Sequence, residues 1–272
     1  MADVGDEPGN TQQAAEDAIA ERAAELATEV TEADQPADRN RLAASIAAAA
    51  RSGATAARSG ARVTGRGMRA ARRGVGSGRG RLSAQVVAMA QRLRVRDQAA
   101  LRAQFPGLST EEIADTLIRR AARASAAVGG AVGAWAALPV LPAFPAEVVT
   151  ETLALIGIEI KLVAELHEAY GMPATGSGTE RMTAYVAAWA HRRGVFMVPG
   201  GLILAAGSPL ARRLRWRLAT RVGRSAFSLG PLLTGAVAGA MLNRQETRRL
   251  GHSVHADLRR QAQAGITGHG PA

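Results

Sequence analysis

Apolar residues recur along this chain at three- and four-residue intervals, with no sustained alternation of apolar and polar positions, so the pattern predicts helices and an all-α fold. Asn10 is a good N-cap for an amphipathic helix reaching about Thr31, with Glu21, Glu25 and Glu29 along one face. The stretch "LSAQVVAMAQRLRVRDQAALRAQF" reads as one basic helix, and "FPGLSTEE" after it supplies a turn and a capping box, Ser109 with Glu112. In "AEVVTETLALIGIEIKLVAELHEAYG", Glu147, Glu151, Lys161, Glu165 and Glu168 share one broad sector of the helical wheel. That sector is expected to be a hydrated, acidic face on an otherwise apolar helix.

Three runs carry no charge: 124–146, 194–211 and 225–243, of 23, 18 and 19 residues. Their lengths approach the roughly 20 residues that cross a hydrocarbon core. Two features argue against clean spans. The linker "RRLRWRLATRVGR" would have to be translocated although it is heavily cationic. Pro139, Pro142 and Pro145 interrupt the first run, Pro199 to Gly201 and Pro209 the second, and Gly230-Pro231 the third, and broken helices in lipid must be shielded by protein. A compact bundle, or Gly/Pro-broken helical hairpins dipping into one leaflet, fits better. Proline suits the first turn of a helix and damages its interior, so Pro142 and Pro145 are expected to end one buried helix and start the next.

Composition sharpens this picture in three ways. The absence of cysteine removes disulfides, thiol nucleophiles and thiolate metal sites. The acidic, polar "MADVGDEPGN" is unlike a secretory signal, which places the bulk of the chain in the cytoplasm as an expectation. The net charge of +11 is built from opposed blocks: residues 1–40 hold 11 acids and 2 bases, and residues 41–123 hold 17 bases and 4 acids. An acidic arm could thus fold back on a basic surface. Arginine outnumbers lysine 33 to one, a skew that suits a GC-rich genome and devalues any single arginine as a functional clue. Within the basic block, glycines at 53, 60, 67 and 74 recur every seven residues. Such a segment is a solvated low-complexity linker, or a marginal helix that adsorbs to anionic lipid or nucleic acid. The expected organisation is an acidic, partly helical, mobile arm (1–40), an Arg/Gly/Ala segment (41–81), a helical domain (82–263) and a disordered tail (264–272).

The segments "AAVGGAVGAWAALPVLPAFPAEVVTETLALIGIEIKLVAELHEAYG", "TERMTAYVAAWAHRRG" and "SLGPLLTGAVAGAMLNRQETRRLG" together resemble the EcsC family over roughly residues 100–260. The shared features are a glycine-rich helix, a proline corner, an acidic helix closing in Tyr170-Gly171 and a late Gly-Pro-containing helix followed by Asn243. The resemblance implies a bacterial helical domain linked to membrane machinery, of unestablished activity, and assigns no catalytic residue. The N-terminal third departs from it.

No residue constellation amounts to a catalytic signature. "GRSAF" and "GLSTE" lack the final glycine of a nucleophile elbow, and the sole lysine, Lys161, has no glycine-rich loop before it. Glu147 and Glu151 could serve a hydrolase only if buried beside a histidine such as His167 or His191. His252 and His255, with Asp257 nearby, could face a metal from one helix, but spacing fixes no third ligand, so a solvated surface is expected. No catalytic, cofactor-binding or metal residue is assigned, and no cofactor is expected.

These readings favour a non-enzymatic, membrane-associated helical protein at the inner face of the cell membrane, contacting anionic lipid or a membrane protein. The expected contact residues are Trp135, Pro139, Pro142, Phe144, Pro145, Phe196, Pro199, Arg212, Arg213, Arg215, Trp216 and Arg217. Gly129 and Gly133, and Gly235 and Gly239, are spaced for close helix packing. The alternative is a soluble module binding protein, or nucleic acid weakly and non-specifically, through a basic segment that lacks stacking aromatics.

Overall fold

The computed structural model describes residues 7–32, 75–135, 144–198, 201–204 and 230–267. Seven helices are found among them: α1 (Glu7–Glu32), α2 (Val75–Gln91), α3 (Gln98–Gln104), α4 (Thr110–Trp135), α5 (Phe144–Ala169), α6 (Gly178–Arg193) and α7 (Gly230–Thr267). The fold is all-α apart from one short antiparallel hairpin, β1 (Val195–Val198) with β2 (Gly201–Leu204), in which Val195 pairs with Leu204 and Val198 with Gly201. The hairpin replaces the broken helix expected around Pro199. The first strand, "VFMV", is rich in β-branched and aromatic residues; it and "GLIL" flank Pro-Gly in the sequence and are too short to display alternation.

α5 is the central helix. Every residue from Thr152 to Leu166 is buried, as expected of a helix apolar around most of its circumference. Its neighbours present stripes at helical spacing: Ile113, Leu117, Ile118, Ala121 and Ser125 on α4, and Thr247, Leu250, Val254 and Leu258 on α7. Contacts fix the directions. Ser125, Glu159 and Thr247 meet at one level, where the Thr247 hydroxyl lies 2.9 Å from Ser125 Oγ and 3.1 Å from Glu159 Oε1. Ile118, Leu162 and Gly251 meet about one turn further along. Consequently α5 and α7 run the same way and α4 runs against both, so the helices flanking the proline corner form an antiparallel pair. α5 starts at Phe144 and carries Pro145 in its first turn, where proline is tolerated.

The helical part of the acidic arm, α1, packs against the domain. Ala20, Ala23, Ala24, Leu26, Ala27 and Val30 are buried, and Ala27 lies where a Cβ on Gly157 of α5 would come within 3.0 Å of it. Small residues on both sides permit this approach. Glu21, Glu25 and Glu29 remain on the exposed face, while Asp17 reaches Arg92 at 3.5 Å, so the arm folds back on a basic residue from within the core domain. Deleting residues 1–40 would therefore remove a core helix as well as negative charge.

Other boundaries shift for local reasons. The basic helix expected over 82–105 is two helices, because Asp97 in extended conformation accepts from the Ala100 amide at 2.8 Å and N-caps α3. Residues 75–81 of the low-complexity block belong to α2, and α7 extends to Thr267, four residues into the expected disordered tail. The capping box before α4 is present: Glu112 Oε2 accepts from the Ser109 amide at 2.8 Å, and Ser109 Oγ accepts from the Glu112 amide at 3.3 Å. The Ser109 amide, and then its hydroxyl, hold the Glu112 carboxyl below its usual range. Ser177 and Glu180 form a second such box at α6.

Gly251 is a point of contact that tolerates no side chain. A Cβ there would fall 2.7 Å from Ile118 Cγ1 and 3.1 Å from Leu162 Cδ2. Overpacking costs about 1–3 kcal/mol and alanine regains about 1 kcal/mol of helix propensity, so Gly251→Ala is expected to destabilise by up to about 2 kcal/mol. Gly178→Ala, with nothing within 4 Å of the added methyl, serves as the control in urea unfolding. Equal midpoints for the two variants would show that α4, α5 and α7 do not close on Gly251.

Candidate functional site

Among the described residues, Lys161, Glu165 and Glu168 of the sector expected to be hydrated are buried, and so is Glu159. Lys161 is 0% exposed, Glu159 and Glu165 2% and Glu168 7%. Burial of a charge is costly unless it is paired, and each of these has partners. Lys161 Nζ lies 3.0 Å from Glu165 Oε1 and 3.1 Å from Glu32 Oε1, and also donates to the Arg94 carbonyl. Arg96 grips Glu165 with two nitrogens, Nε to Oε1 at 2.8 Å and Nη2 to Oε2 at 2.6 Å. Glu168 accepts weakly from the Tyr185 hydroxyl at 3.4 Å, and burial pushes the Tyr185 phenol up.

A second network lies on another side of α5, around Glu159. Arg193 Nε reaches Glu159 Oε2 at 2.9 Å and Nη2 reaches Oε1 at 2.5 Å, while Trp189 Nε1 donates to Oε2 at 2.9 Å. Arg193 also contacts Glu246 of α7 at 3.3 Å and its carbonyl at 3.1 Å. These groups join α4, α5, α6 and α7 and are sealed from solvent. Their saturated pairing suits a structural role.

The charged end of the bundle holds a different cluster. Asp115 of α4 and His252 and His255 of α7 each offer one ligand atom, and the three atoms lie within 4.8 Å of one another. His255 Nδ1 faces Asp115 Oδ1 at 3.7 Å, and His255 Nε2 is buried without a hydrogen-bond partner among the described residues. The ring of Tyr170, just past α5, packs on His255 with centroids 5.8 Å apart, and its hydroxyl is likewise buried and unpartnered. Burial, then the nearby Glu111 carboxylate, push the Tyr170 phenol up, so it stays a neutral donor. Asp257 is not part of the cluster. It pairs with Arg192 and Arg260, and the Arg192 hydrogen bond holds its carboxyl below the usual range. The third candidate donor, which spacing along α7 could not supply, thus comes from another helix.

The expected membrane-contact residues fall mostly outside the described residues: Pro139, Pro142, Pro199, Arg212, Arg213, Arg215, Trp216 and Arg217. Trp135 ends α4, Phe144 and Pro145 open α5, and Phe196 lies on β1; their side chains, and those of Glu147 and Glu151, are also outside the description. Gly129 is buried on α4, which also carries Gly133. Asp115 faces His255 and Ser125 faces Thr247; continued at that register, Gly133 comes level with Gly239 on α7, and Gly129 with Asn243.

One end of the bundle is defined by what it lacks. Beyond the Ser125–Glu159–Thr247 level, α4 to Trp135 contains no charged residue, α7 contains none from Asn243 back to Gly230, and α5 back to Phe144 contains only Glu147 and Glu151. Met241 stands 67% exposed there. Among the described residues no helix is long and apolar enough to cross a membrane. No family model, curated protein or solved structure matches this chain.

Proposed function

We propose that the protein is a non-enzymatic helical protein acting at the inner face of the cell membrane, where its uncharged bundle end and the arginines of 212–224 engage anionic lipid. The observation supporting this is the convergence at one end of the fold of segments of α4 and α7 that carry no charge with a segment of α5 that carries only Glu147 and Glu151. The sequence "RRLRWRLATRVGR" precedes α7 by five residues, which puts cationic residues close in sequence to that apolar end. Binding without spanning agrees with the lack of a membrane-crossing helix among the described residues. It also agrees with what the EcsC resemblance implies, a helical domain associated with membrane machinery.

Flotation of the full-length chain with vesicles tests the proposal. The protein is expected to float with phosphatidylglycerol-containing vesicles at low salt, to float less at high salt and not to float with phosphatidylcholine alone. Each arginine near an anionic surface contributes about 1 kcal/mol, so replacing Arg212, Arg213, Arg215 and Arg217 by glutamine should lower affinity by about a thousandfold. Trp189 is fully buried, so any vesicle-induced blue shift in tryptophan emission reports Trp135 or Trp216. Failure to float with anionic vesicles, or flotation indifferent to the four substitutions, would overturn the proposal.

A further inference from the structure

We propose that Asp115, His252 and His255 form a binding site for a late first-row divalent cation, with Zn2+ the ion that their donor set suits best. Two imidazoles, which are borderline donors, and one carboxylate make a nitrogen and oxygen set of the kind zinc takes. The helical geometry supplies the pair: His252 and His255, three apart on α7, project from one face. Antiparallel packing of α4 then brings Asp115 opposite them.

Three ligands around tetrahedral zinc at about 2.1 Å stand about 3.4 Å apart, so the present spread of up to 4.8 Å closes by rotation of side chains alone. His252 is exposed and the Asp115 side chain 48% exposed, which gives both the freedom to move and gives the ion a route in from solvent. His255 is the fixed member, 14% exposed and packed on Tyr170. Its buried, unpartnered Nε2 is unexplained by the packing of the protein alone. Coordination by His255 accounts for it in either of two ways, by using Nε2 as the ligand or by turning the ring. Nearby cations do not block the site, since Arg259 is engaged with Glu111 at 3.0 Å. Three protein ligands leave a fourth position open to water or an anion. The bound ion would pin α4 to α7 at the end of the bundle opposite the uncharged one.

Calorimetric titration of Zn2+ into chelator-stripped full-length protein is the test, with the Co2+ visible spectrum as a second readout. One ion per chain is expected, with nitrogen and oxygen ligation and a Zn2+-dependent rise in Tm. His252→Ala and Asp115→Asn should each weaken binding at least tenfold. Both residues are exposed enough for the variants to fold, so the test does not depend on the more buried His255. His191→Ala, which removes an exposed histidine from α6, should leave affinity unchanged. Absence of stoichiometric Zn2+ binding would overturn the proposal, as would affinity unaltered by His252→Ala or lowered equally by His191→Ala.

Discussion

Glu159→Ala is expected to lower stability by about 3–5 kcal/mol, the usual consequence of removing one partner from a buried ion pair. The loss corresponds to a fall in Tm of roughly 6–20 °C for a chain of this size. Arg193 is 4% exposed and directs two nitrogens at the Glu159 carboxylate, so its charge would stay buried with only the longer Glu246 contact and one carbonyl. Trp189 Nε1 would lose its acceptor and the Thr247 hydroxyl one of its two neighbours. Most of the penalty comes from stranded charge. The double variant Glu159→Leu with Arg193→Met should accordingly be more stable than Glu159→Ala alone, even though it removes more polar contacts. Thermal unfolding of Glu159→Leu, Arg193→Met and the double variant decides the matter. Additive losses would mean that Glu159 and Arg193 do not act as a unit.

Why this hub escapes a reading of the sequence follows from its position on the wheel. Glu159 lies about 200° from Lys161, away from the sector that gathers Glu147, Glu151, Lys161, Glu165 and Glu168, and so looks like an isolated charge on an apolar surface. Its partners are 34 and 88 residues away, at Arg193 and Thr247, and only the packing of α6 and α7 on α5 brings them in. Asp115 is hidden from His252 and His255 for the same reason. Features set within four residues are legible: the Ser109–Glu112 box was readable, and "SGTE" carried the same signal for the Ser177–Glu180 box. α1 shows the opposite limit. Its buried stripe is mostly alanine, too weakly apolar to mark a core helix, and it is buried because Gly157 leaves room for it. Likewise the acidic sector of α5 has the composition of a solvent face, yet Arg96 and Lys161 neutralise Glu165 from within the core.

Lys161→Arg, although it keeps the charge, is expected to destabilise by about 2–4 kcal/mol, no less than Lys161→Met. Arginine is the chain's default cation, 33 times over, so the one lysine stands where composition offers no explanation. Geometry offers one. An ammonium has three donors, and Lys161 Nζ has three acceptors: Glu165 at 3.0 Å, Glu32 at 3.1 Å and the Arg94 carbonyl. A guanidinium would bring five N–H groups and a flat, wider head into a fully buried space whose principal carboxylate is already held by Arg96. Methionine would strand the Arg94 carbonyl, but it leaves Glu165 paired with Arg96 and Glu32, 42% exposed, free to hydrate. Because Glu32 is the last residue of α1, either change should also loosen that helix before the rest of the fold. Hydrogen exchange would then show Ala20 to Val30 losing protection ahead of Ile158 to Leu166. Wild-type stability in Lys161→Arg, with α1 protection unchanged, would mean that the site asks only for a positive charge.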